Sequence, residues 1–446
     1  MELGKYALIE APSLLALLPL LVFIVCSMAI PKRGTMIGLA AGVVCGIILV
    51  MPSTGDLFKS ALGALTGSTM LIGFMIMLGA GLGELMNLAG ISKTLVYWIV
   101  KRIGVNTRTK AKIVLAISSI LICGLLGTLA GGNVIIAPIL IPILATLGIT
   151  PTVVAIMFKT CGEIGLILGP LTGVTLMTMK MTGLSYGQLM LQAVIPFALF
   201  WFAGSWVGCC VAQKRTEGKE FYEIDPAVQD ISQLEPTKKE RTATLVFMIT
   251  FAVLLIVGVA TGQGVTYSLA IILALSILTL ILGGVSFKEN MKGEWKGIKS
   301  MLIVIPLLLL FGMMLDFVTA GDGFTALGNL LGGLAGKGGS AAVALVSAVV
   351  GGFGIETSAI LEIQIIAETF GELAVSAGLP MGVFAVSILA ATRLTSSVYP
   401  TSNFMGQMVT AHCTNTKDAM IANWISAGFA WVFVILYAFA GPIILG

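Results

Sequence analysis

Residues 159–173, KTCGEIGLILGPLTG, hold a glycine–proline pair in the middle of an otherwise apolar stretch. Proline removes a backbone N–H and clashes with the preceding helical turn, so Pro170 predicts a helix that is broken between two apolar arms. Residues 392–403, TRLTSSVYPTSN, combine a proline with hydroxyl side chains in a similar setting. A carboxylate, Glu163, precedes the first break, and a guanidinium, Arg393, precedes the second. These two interrupted apolar helices indicate the fold of the chain.

The composition predicts a membrane protein. Of the 446 residues, 57% are hydrophobic and 10% are charged, whereas soluble domains carry about 25% charged residues. Several apolar runs approach or exceed the roughly 20 residues that cross the hydrocarbon core, and they are continuous rather than alternating, which favours helices over a barrel. We therefore expect an all-α polytopic protein, multi-pass in the inner membrane, with the lipid bilayer as its surroundings and no nucleic-acid partner.

The ionisable residues do not form an enzyme or metal motif. The chain has one histidine, His412, and seven cysteines that lie mostly in apolar runs without metal-ligand spacing. It contains neither HExxH nor GxSxG. We expect no enzyme activity, no metal site and no cofactor apart from a coupling ion.

The two halves of the chain match at a constant offset of 230 residues. The offset relates two pairs of glycines, the two ionisable residues and two prolines: Gly124 and Gly354, Gly148 and Gly378, Glu163 and Arg393, and Pro170 and Pro400. Clusters of basic residues swap sides between the halves: residues 93–112 hold six of them and 323–342 hold one, whereas 286–299 hold four and 55–68 hold one. Because basic residues favour the cytoplasmic side, this swap predicts a duplication whose halves are inverted repeats.

Inversion requires an odd number of crossings in each half. We count five crossings, one of them a broken helix, and one re-entrant hairpin per half. The predicted organisation is a first repeat at 1–212 with a hairpin at 113–148 and a broken helix at 150–181, a cytoplasmic linker at 213–242, and a second repeat at 243–446 with a hairpin at 340–378 and a broken helix at 380–410. Both termini then lie outside the cytoplasm.

The hairpin tips and helix breaks form the predicted solute site, because irregular backbone at membrane depth is tolerated only where it is buried or lines a wet cavity. Arg393 is the only arginine within a predicted span, and its planar fork suits a carboxylate, so we expect it to bind an anionic substrate. A structural salt bridge to Glu163 or Glu356 is the alternative. The other candidate substrate ligands are hydroxyl and amide side chains at the tips and breaks: Thr128, Asn133, Thr357, Ser358, Thr395, Ser396, Thr401, Ser402 and Asn403.

Glu163 and Glu356 are the candidate carboxylates for a coupling cation. A buried carboxylate among hydroxyls and carbonyls holds Na⁺ through hard oxygen ligands or carries a proton, and Thr160 and Thr172 supply hydroxyls near the first break. Lys159 stands four residues before Glu163 on the same helical face, so a local ion pair is the alternative for that carboxylate.

The order of these elements resembles the ion transporter superfamily of secondary carriers. Two inverted halves, each with a hairpin followed by a broken helix, carry the resemblance, which covers most of the chain. Residues 67–104, GSTMLIGFMIMLGAGLGELMNLAGISKTLVYWIVKRIG, through 138–159, PILIPILATLGITPTVVAIMFK, are similar in length and layout to the gluconate permease and citrate carrier branch. The resemblance implies an elevator-type mechanism, in which hairpins and broken helices slide against a scaffold, and a homodimer.

Together these features predict a secondary active transporter. We expect symport of a small organic anion, such as a sugar acid or carboxylate, coupled to H⁺ or Na⁺. The alternative is a cation/proton antiporter in which the carboxylates carry out transport and Arg393 is structural.

Overall fold

The computed structural model describes residues 1–29, 34–222, 235–283, 286–352, 358–397 and 399–446. Over these ranges the chain is helical and contains no β-strand. The helices of the first half are α1 (Leu18–Ala29), α2 (Gly34–Val50), α3 (Thr54–Thr66), α4 (Ser68–Leu88), α5 (Ile91–Ile103), α6 (Arg108–Leu126), α7 (Leu129–Thr146), α8 (Pro151–Leu168), α9 (Gly173–Thr182), α10 (Tyr186–Leu189) and α11 (Ile195–Thr216).

The helices of the second half follow after residues 217–237. They are α12 (Lys238–Ala260), α13 (Val265–Leu282), α14 (Phe287–Ser300), α15 (Val304–Ala320), α16 (Gly323–Gly352), α17 (Ala359–Ser376), α18 (Met381–Arg393), α19 (Ser402–Thr410) and α20 (Thr416–Leu445). Nine helical segments within the described ranges are long and apolar enough to cross a membrane. The prediction of an all-α polytopic membrane protein is confirmed.

Helices α8 and α18 form the centre of the fold. In α8, 94% of the residues are buried, and in α18 every residue from Gly382 to Arg393 is buried. A helix that is covered on all sides belongs to the interior of a bundle rather than to its lipid-facing surface. The ionisable side chains of these two helices are therefore enclosed by protein.

Both central helices end at the breaks that the sequence indicates. Helix α8 ends at Leu168, before the Gly169-Pro170 pair, and α9 begins at Gly173 behind its N-cap Thr172. Helix α18 ends at Arg393, and a 3-10 turn at Thr395–Ser397 leads towards α19. Each break supplies a new helix N-terminus, whose first N–H groups have no partner within their own helix.

The segments expected to form the two hairpin tips differ in part from the prediction. Helices α6 and α7 are separated only by Gly127 (φ 66°) and Thr128, and Asn133, expected at the tip, lies inside α7. The helix restarts early because the Thr128 hydroxyl accepts a hydrogen bond from the Gly131 amide and caps it. In the second half, α16 bends at Gly339, which has a left-handed φ of 63°, and α17 begins after Ser358. Glu356 and Thr357 lie outside the described residues.

The helices of the two halves begin at matching positions. Leu129 and Ala359, Pro151 and Met381, and Tyr186 and Thr416 are the first residues of successive helices, and each pair is 230 residues apart. The helix that follows each break packs against the other half: α9 contacts α17 and α18, and α19 contacts α7 and α8. The centre of the protein is therefore built from helices that the two halves exchange.

Two short amphipathic helices, α3 and α14, each pack against a helix of the other half. The Ser60 hydroxyl of α3 donates to the Asp316 carboxylate of α15 at 2.6 Å, and Lys296 of α14 forms an ion pair with Glu84 of α4. A separate hydrophobic cluster joins α1, α2 and α15, and Leu361 and Ile365 of α17 are buried members of it. The remaining buried apolar residues belong mainly to a larger cluster around α8 and α18.

Helices α6 and α8 cross at a pair of glycines, and this contact predicts the effect of a substitution. A Cβ on Gly165 would lie 2.4 Å from the Ile120 carbonyl oxygen and 3.0 Å from the Gly124 amide nitrogen. Gly165→Ala is therefore expected to destabilise the protein by about 1–3 kcal/mol through overpacking, which thermal unfolding of the purified protein measures. The matched control is Gly428→Ala in α20, where no atom lies within 4 Å of the added methyl group. Equal unfolding midpoints for both variants would contradict this packing.

Candidate functional site

A buried ion pair joins the two central helices. Arg393 Nη1 of α18 lies 3.6 Å from Glu163 Oε2 of α8, and each side chain is only 4% exposed. The two residues are the pair that the sequence relates at an offset of 230. The structure thus brings together the residue expected to bind an anion and a residue expected to hold a coupling cation.

The ion pair is incompletely hydrogen-bonded. A separation of 3.6 Å exceeds the 2.7–2.9 Å that is typical of a charge-assisted N–H to carboxylate bond. Glu163 Oε2 is buried and has no hydrogen-bond partner among the described residues. Arg393 Nε donates weakly to the neighbouring Thr392 hydroxyl at 3.4 Å. Among the described residues, the guanidinium therefore makes one weak hydrogen bond and one long ion-pair contact.

Lys159 adds a second buried cation to this region. Its side chain is 2% exposed, and its Nζ lies 4.8 Å from the centre of the Trp201 ring of α11, within the range of a cation–π contact. In the part of the chain that the structure describes, three basic and two acidic side chains are buried: Lys112, Lys159, Arg393, Glu163 and Glu362. Of these, Lys112 lies away from the ion pair, against Trp206 and Cys210 of α11.

Asn133 is part of a buried polar network. Its Nδ2 donates to the Phe158 carbonyl at 2.9 Å and to Gln407 Oε1 at 2.7 Å, and its Oδ1 accepts from the Ser119 hydroxyl at 2.7 Å. The amide thus ties α7 to α6, α8 and α19. Ser119 and Gln407 were not among the sequence-based candidates, although a buried amide in an apolar helix is the signal that would have indicated Gln407.

The hydroxyl candidates at the helix starts are capping residues. Thr128, Thr172 and Thr401 are the N-caps of α7, α9 and α19, and the hydroxyl of each accepts a backbone N–H from its own first turn. Thr172 also donates to the Leu166 carbonyl at the end of α8. Ser358 occupies the N-cap position of α17, but its side chain makes no capping hydrogen bond there. Capping orients these N-termini, which carry partial positive charge.

The remaining candidates are spread over the second break and α8. Thr395 and Ser396 are buried in the 3-10 turn, and the Ser396 carbonyl accepts from Asn423 Nδ2 of α20 at 2.9 Å. Thr160 is fully buried, and its hydroxyl has no partner among the residues described. Ser402 and Asn403 are exposed in the first turn of α19. Thr160 thus lies three residues before Glu163, and Thr395 and Ser396 lie two and three residues after Arg393.

A small cavity lies where the first tip meets the first break. Gly127 and Thr128 line it from the α6–α7 turn, Leu171 and Gly173 from the α8–α9 break, and α4 closes it. Its volume of about 20 Å³ suits one water-sized occupant, since a single water needs about 10–15 Å³.

The sequence of residues 59–440 matches the family described as "Tripartite ATP-independent periplasmic transporter, DctM component". The chain belongs to the DctM family. Members of this family are components of a transporter and not enzymes, so the prediction of a membrane transport protein is confirmed. The match supports a secondary carrier and does not support the gluconate permease and citrate carrier branch in particular.

The fold is similar to that of a solved efflux pump. The structure reported as "Structure and Function of Neisseria gonorrhoeae MtrF Illuminates a Class of Antimetabolite Efflux Pumps" superposes with a TM-score of 0.58 at 14% sequence identity, covering 100% of this chain and 97% of that chain. At this identity the likeness concerns the fold alone. The search of curated proteins found no match.

The Asn133 network predicts a coupled loss of stability. Asn133→Ala leaves the buried oxygen of Gln407 without its donor, and Gln407→Ala leaves an Asn133 N–H unpaired, so each change is expected to cost about 1–3 kcal/mol. The double variant is expected to cost clearly less than the sum, as measured from thermal unfolding of the four proteins in one detergent. Strict additivity would show that the Asn133–Gln407 bond does not contribute, and Asn329→Ala on the exposed surface of α16 serves as the neutral control.

Proposed function

We propose that this DctM-family protein is the membrane carrier for a small organic anion, a sugar acid or carboxylate, and that it moves the anion in symport with H⁺ or Na⁺. The observation that carries this proposal is the incompletely hydrogen-bonded, buried pair of Arg393 and Glu163. A buried ion pair with a purely structural role is most stable when its remaining donors and acceptors are also hydrogen-bonded. Here the long separation and the weak Arg393–Thr392 hydrogen bond leave the guanidinium open to a stronger bond with the carboxylate of an anionic ligand.

Arg393 is the proposed anion ligand. Its guanidinium presents two parallel N–H donors, which match the two oxygens of a carboxylate. It ends α18 immediately before the second break, and the N-terminus of α19 follows, so backbone N–H groups and a helix dipole add to the positive potential. The N-cap residues Thr401 and Ser358 and the turn residues Thr395 and Ser396 are the proposed neighbours of the substrate.

Glu163 is the proposed link between the anion and the cation. A substrate carboxylate that bonds to Arg393 competes with Glu163, and a buried carboxylate deprived of its cation is costly. Uptake of H⁺ or Na⁺ by Glu163 removes that cost. Anion and cation therefore favour each other's binding, which is the thermodynamic basis of symport.

Other proposed cation ligands lie around the first break. Thr172 and the cavity beside Thr128 offer hydroxyl and carbonyl oxygens, which are hard ligands suited to Na⁺. Thr160 supplies a further buried hydroxyl one turn from Glu163. Glu356 remains a candidate by sequence alone, as it lies outside the described residues.

An elevator-type movement of two inverted repeats, 1–212 and 243–446, is the proposed mechanism. The 230-residue spacing of helix starts supports the duplication, and contact between equivalent residues such as Glu163 and Arg393 is expected beside a two-fold pseudo-axis. The hairpin and broken helices around α8 and α18 form the proposed moving body, and the separate cluster of α1, α2 and α15 belongs to the proposed scaffold. A cytoplasmic linker at 213–242, termini outside the cytoplasm, residence in the inner membrane and a homodimer complete this arrangement.

A cation/proton antiporter is the second candidate function. Two carboxylates, Glu163 and Glu362, are each at least 96% buried, and an antiporter needs buried acids that exchange one cation for another. The solved relative is reported among antimetabolite efflux pumps, so export is the direction that this alternative predicts. In that case Arg393 holds Glu163 in place and binds no solute.

Substituting Arg393 tests the proposed substrate site. We expect Arg393→Gln to reduce concentrative uptake of the transported acid by at least about 100-fold, and Arg393→Lys to retain part of it, because lysine keeps the charge but loses the bidentate fork. The measurement is uptake of labelled gluconate, citrate and succinate into proteoliposomes under a Na⁺ gradient, a proton gradient or neither. Since the family name denotes one component of a tripartite transporter, the same assay is run in membrane vesicles of the native host.

The contrary result separates the two candidate functions. If no acid enters in either preparation while cation or proton flux survives in Arg393→Gln, the symporter is wrong and the antiporter is favoured. Thermal unfolding of both Arg393 variants shows whether a loss of uptake is a loss of folding.

Substituting Glu163 tests the proposed coupling. Glu163→Gln keeps the shape of the side chain and removes its charge, so we expect anion exchange across the membrane to continue while the cation gradient no longer drives accumulation. Glu163→Asp, which keeps the carboxylate, is the matched control and is expected to retain coupling. The readout is the ratio of internal to external acid at steady state, and a ratio that still follows the gradient in Glu163→Gln would remove Glu163 from the coupling step.

A further inference from the structure

Helix α14 presents a row of lysines. Lys288, Lys292, Lys296 and Lys299 recur at intervals of four, four and three residues, which places all four within about 80° of the helix circumference at 3.6 residues per turn. All four side chains are exposed. Lys296 is paired with Glu84, whereas the other three form no ion pair with any residue that the structure describes. The same helix also carries Glu289, which lies near Lys292, and Glu294. Four lysines and two glutamates give α14 a net charge of +2, and Lys288 and Lys299 remain exposed without an ion pair to any described residue.

An apolar row runs beside the lysines on the same helix. Phe287, Met291 and Trp295 follow one another at intervals of four residues, and their exposed fractions are 66%, 45% and 60%. Leu302 and Ile303, directly after the helix, are also exposed. A polar lysine row next to an aromatic and apolar row is the pattern of a helix that lies in the membrane interface.

The third face of α14 is fixed to the protein. A Cβ on Gly293 would meet the Leu88 side chain at 2.2 Å, and one on Gly297 would meet the Ala80 carbonyl oxygen at 2.3 Å. The backbones of α14 and α4 are therefore in close contact, and the Lys296–Glu84 pair lies beside that contact. The lysine and apolar rows are the two faces that remain without a protein partner in the described chain.

Helix α3 provides an internal comparison. It pairs with α15 as α14 pairs with α4, and it also has an exposed apolar row, with Phe58, Leu62 and Leu65 exposed by 70%, 49% and 42%. Its charges differ, since it carries only Lys59 and Asp56. The two helices thus share an apolar surface, but their net charges differ: α3 is neutral, with one lysine and one aspartate, whereas α14 carries +2, from four lysines and two glutamates.

We infer that the lysine and apolar rows of α14 form a binding site for anionic phospholipids, in which Lys288, Lys292 and Lys299 bond to the headgroups and Phe287, Met291 and Trp295 enter the acyl layer. Charge complementarity decides the occupant: a neutral lipid surface satisfies the apolar row but leaves the lysines without a partner, whereas an anionic surface satisfies both. The positive charge on α14 and its near absence from α3 match a bilayer in which one leaflet is richer in anionic lipid. The site fixes α14, and through the glycine contacts it fixes the height of α4 in the membrane.

The consequence for the carrier follows from what α4 touches. Helix α4 closes the small cavity at the first tip and first break and contacts α9. A lipid anchor on α14 holds this wall at constant depth while the neighbouring helices differ between states. The inference concerns the lipid site and does not depend on the identity of any transported solute.

Lipid binding by the purified full-length chain tests the inference. Native mass spectrometry of the protein in neutral detergent is titrated with phosphatidylglycerol or with phosphatidylcholine of the same acyl chains. Each lysine at an anionic surface contributes about 1 kcal/mol, so Lys288→Gln/Lys292→Gln/Lys299→Gln is expected to lower the affinity for phosphatidylglycerol about 100-fold and to leave phosphatidylcholine binding unchanged. Phe287→Ser/Trp295→Ser is expected to weaken the binding of both lipids.

A charge-matched variant makes the test specific. Lys110, Lys214 and Lys238 are exposed lysines on α6, α11 and α12, and their triple replacement by Gln removes the same charge elsewhere; we expect it to retain the preference for phosphatidylglycerol. The inference is overturned if the wild-type chain shows no such preference, if both triple variants lose it equally, or if the α14 variant keeps it. In the last case the lysine row faces water or another protein. Unfolding temperatures in neutral detergent confirm that the variants are folded.

Discussion

Removing a carboxylate and a guanidinium from water costs several kcal/mol for each ion, and Glu163 and Arg393 share that cost where α8 meets α18. The pair is kept because α8 and α18 are enclosed by other helices and cannot turn their charges towards solvent. A separation of 3.6 Å leaves it short of the hydrogen bonding that would make it a closed structural link. A buried pair in this condition responds strongly to any third charge that approaches, and this sensitivity gives the centre of the bundle its proposed chemistry.

The surrounding helices prepare the site for such a charge. The breaks after α8 and α18 create the N-termini of α9 and α19, and hydroxyl caps at Thr172 and Thr401 hold them in place. The network of Asn133, Ser119 and Gln407 satisfies the polar groups that do not take part. The contrast is informative: the amide network is saturated and rigid, whereas the ion pair and Thr160 retain unused bonding capacity.

Local sequence signals predicted the backbone well. Composition and run length gave the polytopic helical class, and Gly169-Pro170 marked the end of α8, because proline acts within its own helical turn. The 230-residue offset indicated which residues are equivalent, and one such pair turned out to be in contact. The tip was less predictable, since "LAGGN" reads as loop by its glycines, yet the Thr128 cap starts α7 there and takes Asn133 into the helix.

Tertiary contacts decided what the sequence left open. Four-residue spacing offered an ion pair with Lys159 as the alternative role of Glu163; the structure adds a contact that spacing cannot show, between the Lys159 ammonium and Trp201, 42 positions further along the chain. Likewise, the hydrogen bonds of Gln407 and Ser119 with Asn133 form only because the fold places α6, α7 and α19 next to one another. Residue spacing along one helix shows which side chains share a face. The side chains that this face contacts belong to another helix, and only the fold identifies them.

Each half of the chain covers a helix of the other half, and this has a consequence for assembly. Helix α9 packs against α17 and α18 of the second half as well as α4 and α8 of its own, and α19 packs against α7 and α8 of the first half, so each half alone would leave its broken helix without part of its cover. Two separate half-length polypeptides would have to meet in equal numbers for every copy to be completed. A single polypeptide fixes that ratio at one to one, and it allows the two halves to carry different side chains where they meet, a carboxylate on one side and a guanidinium on the other.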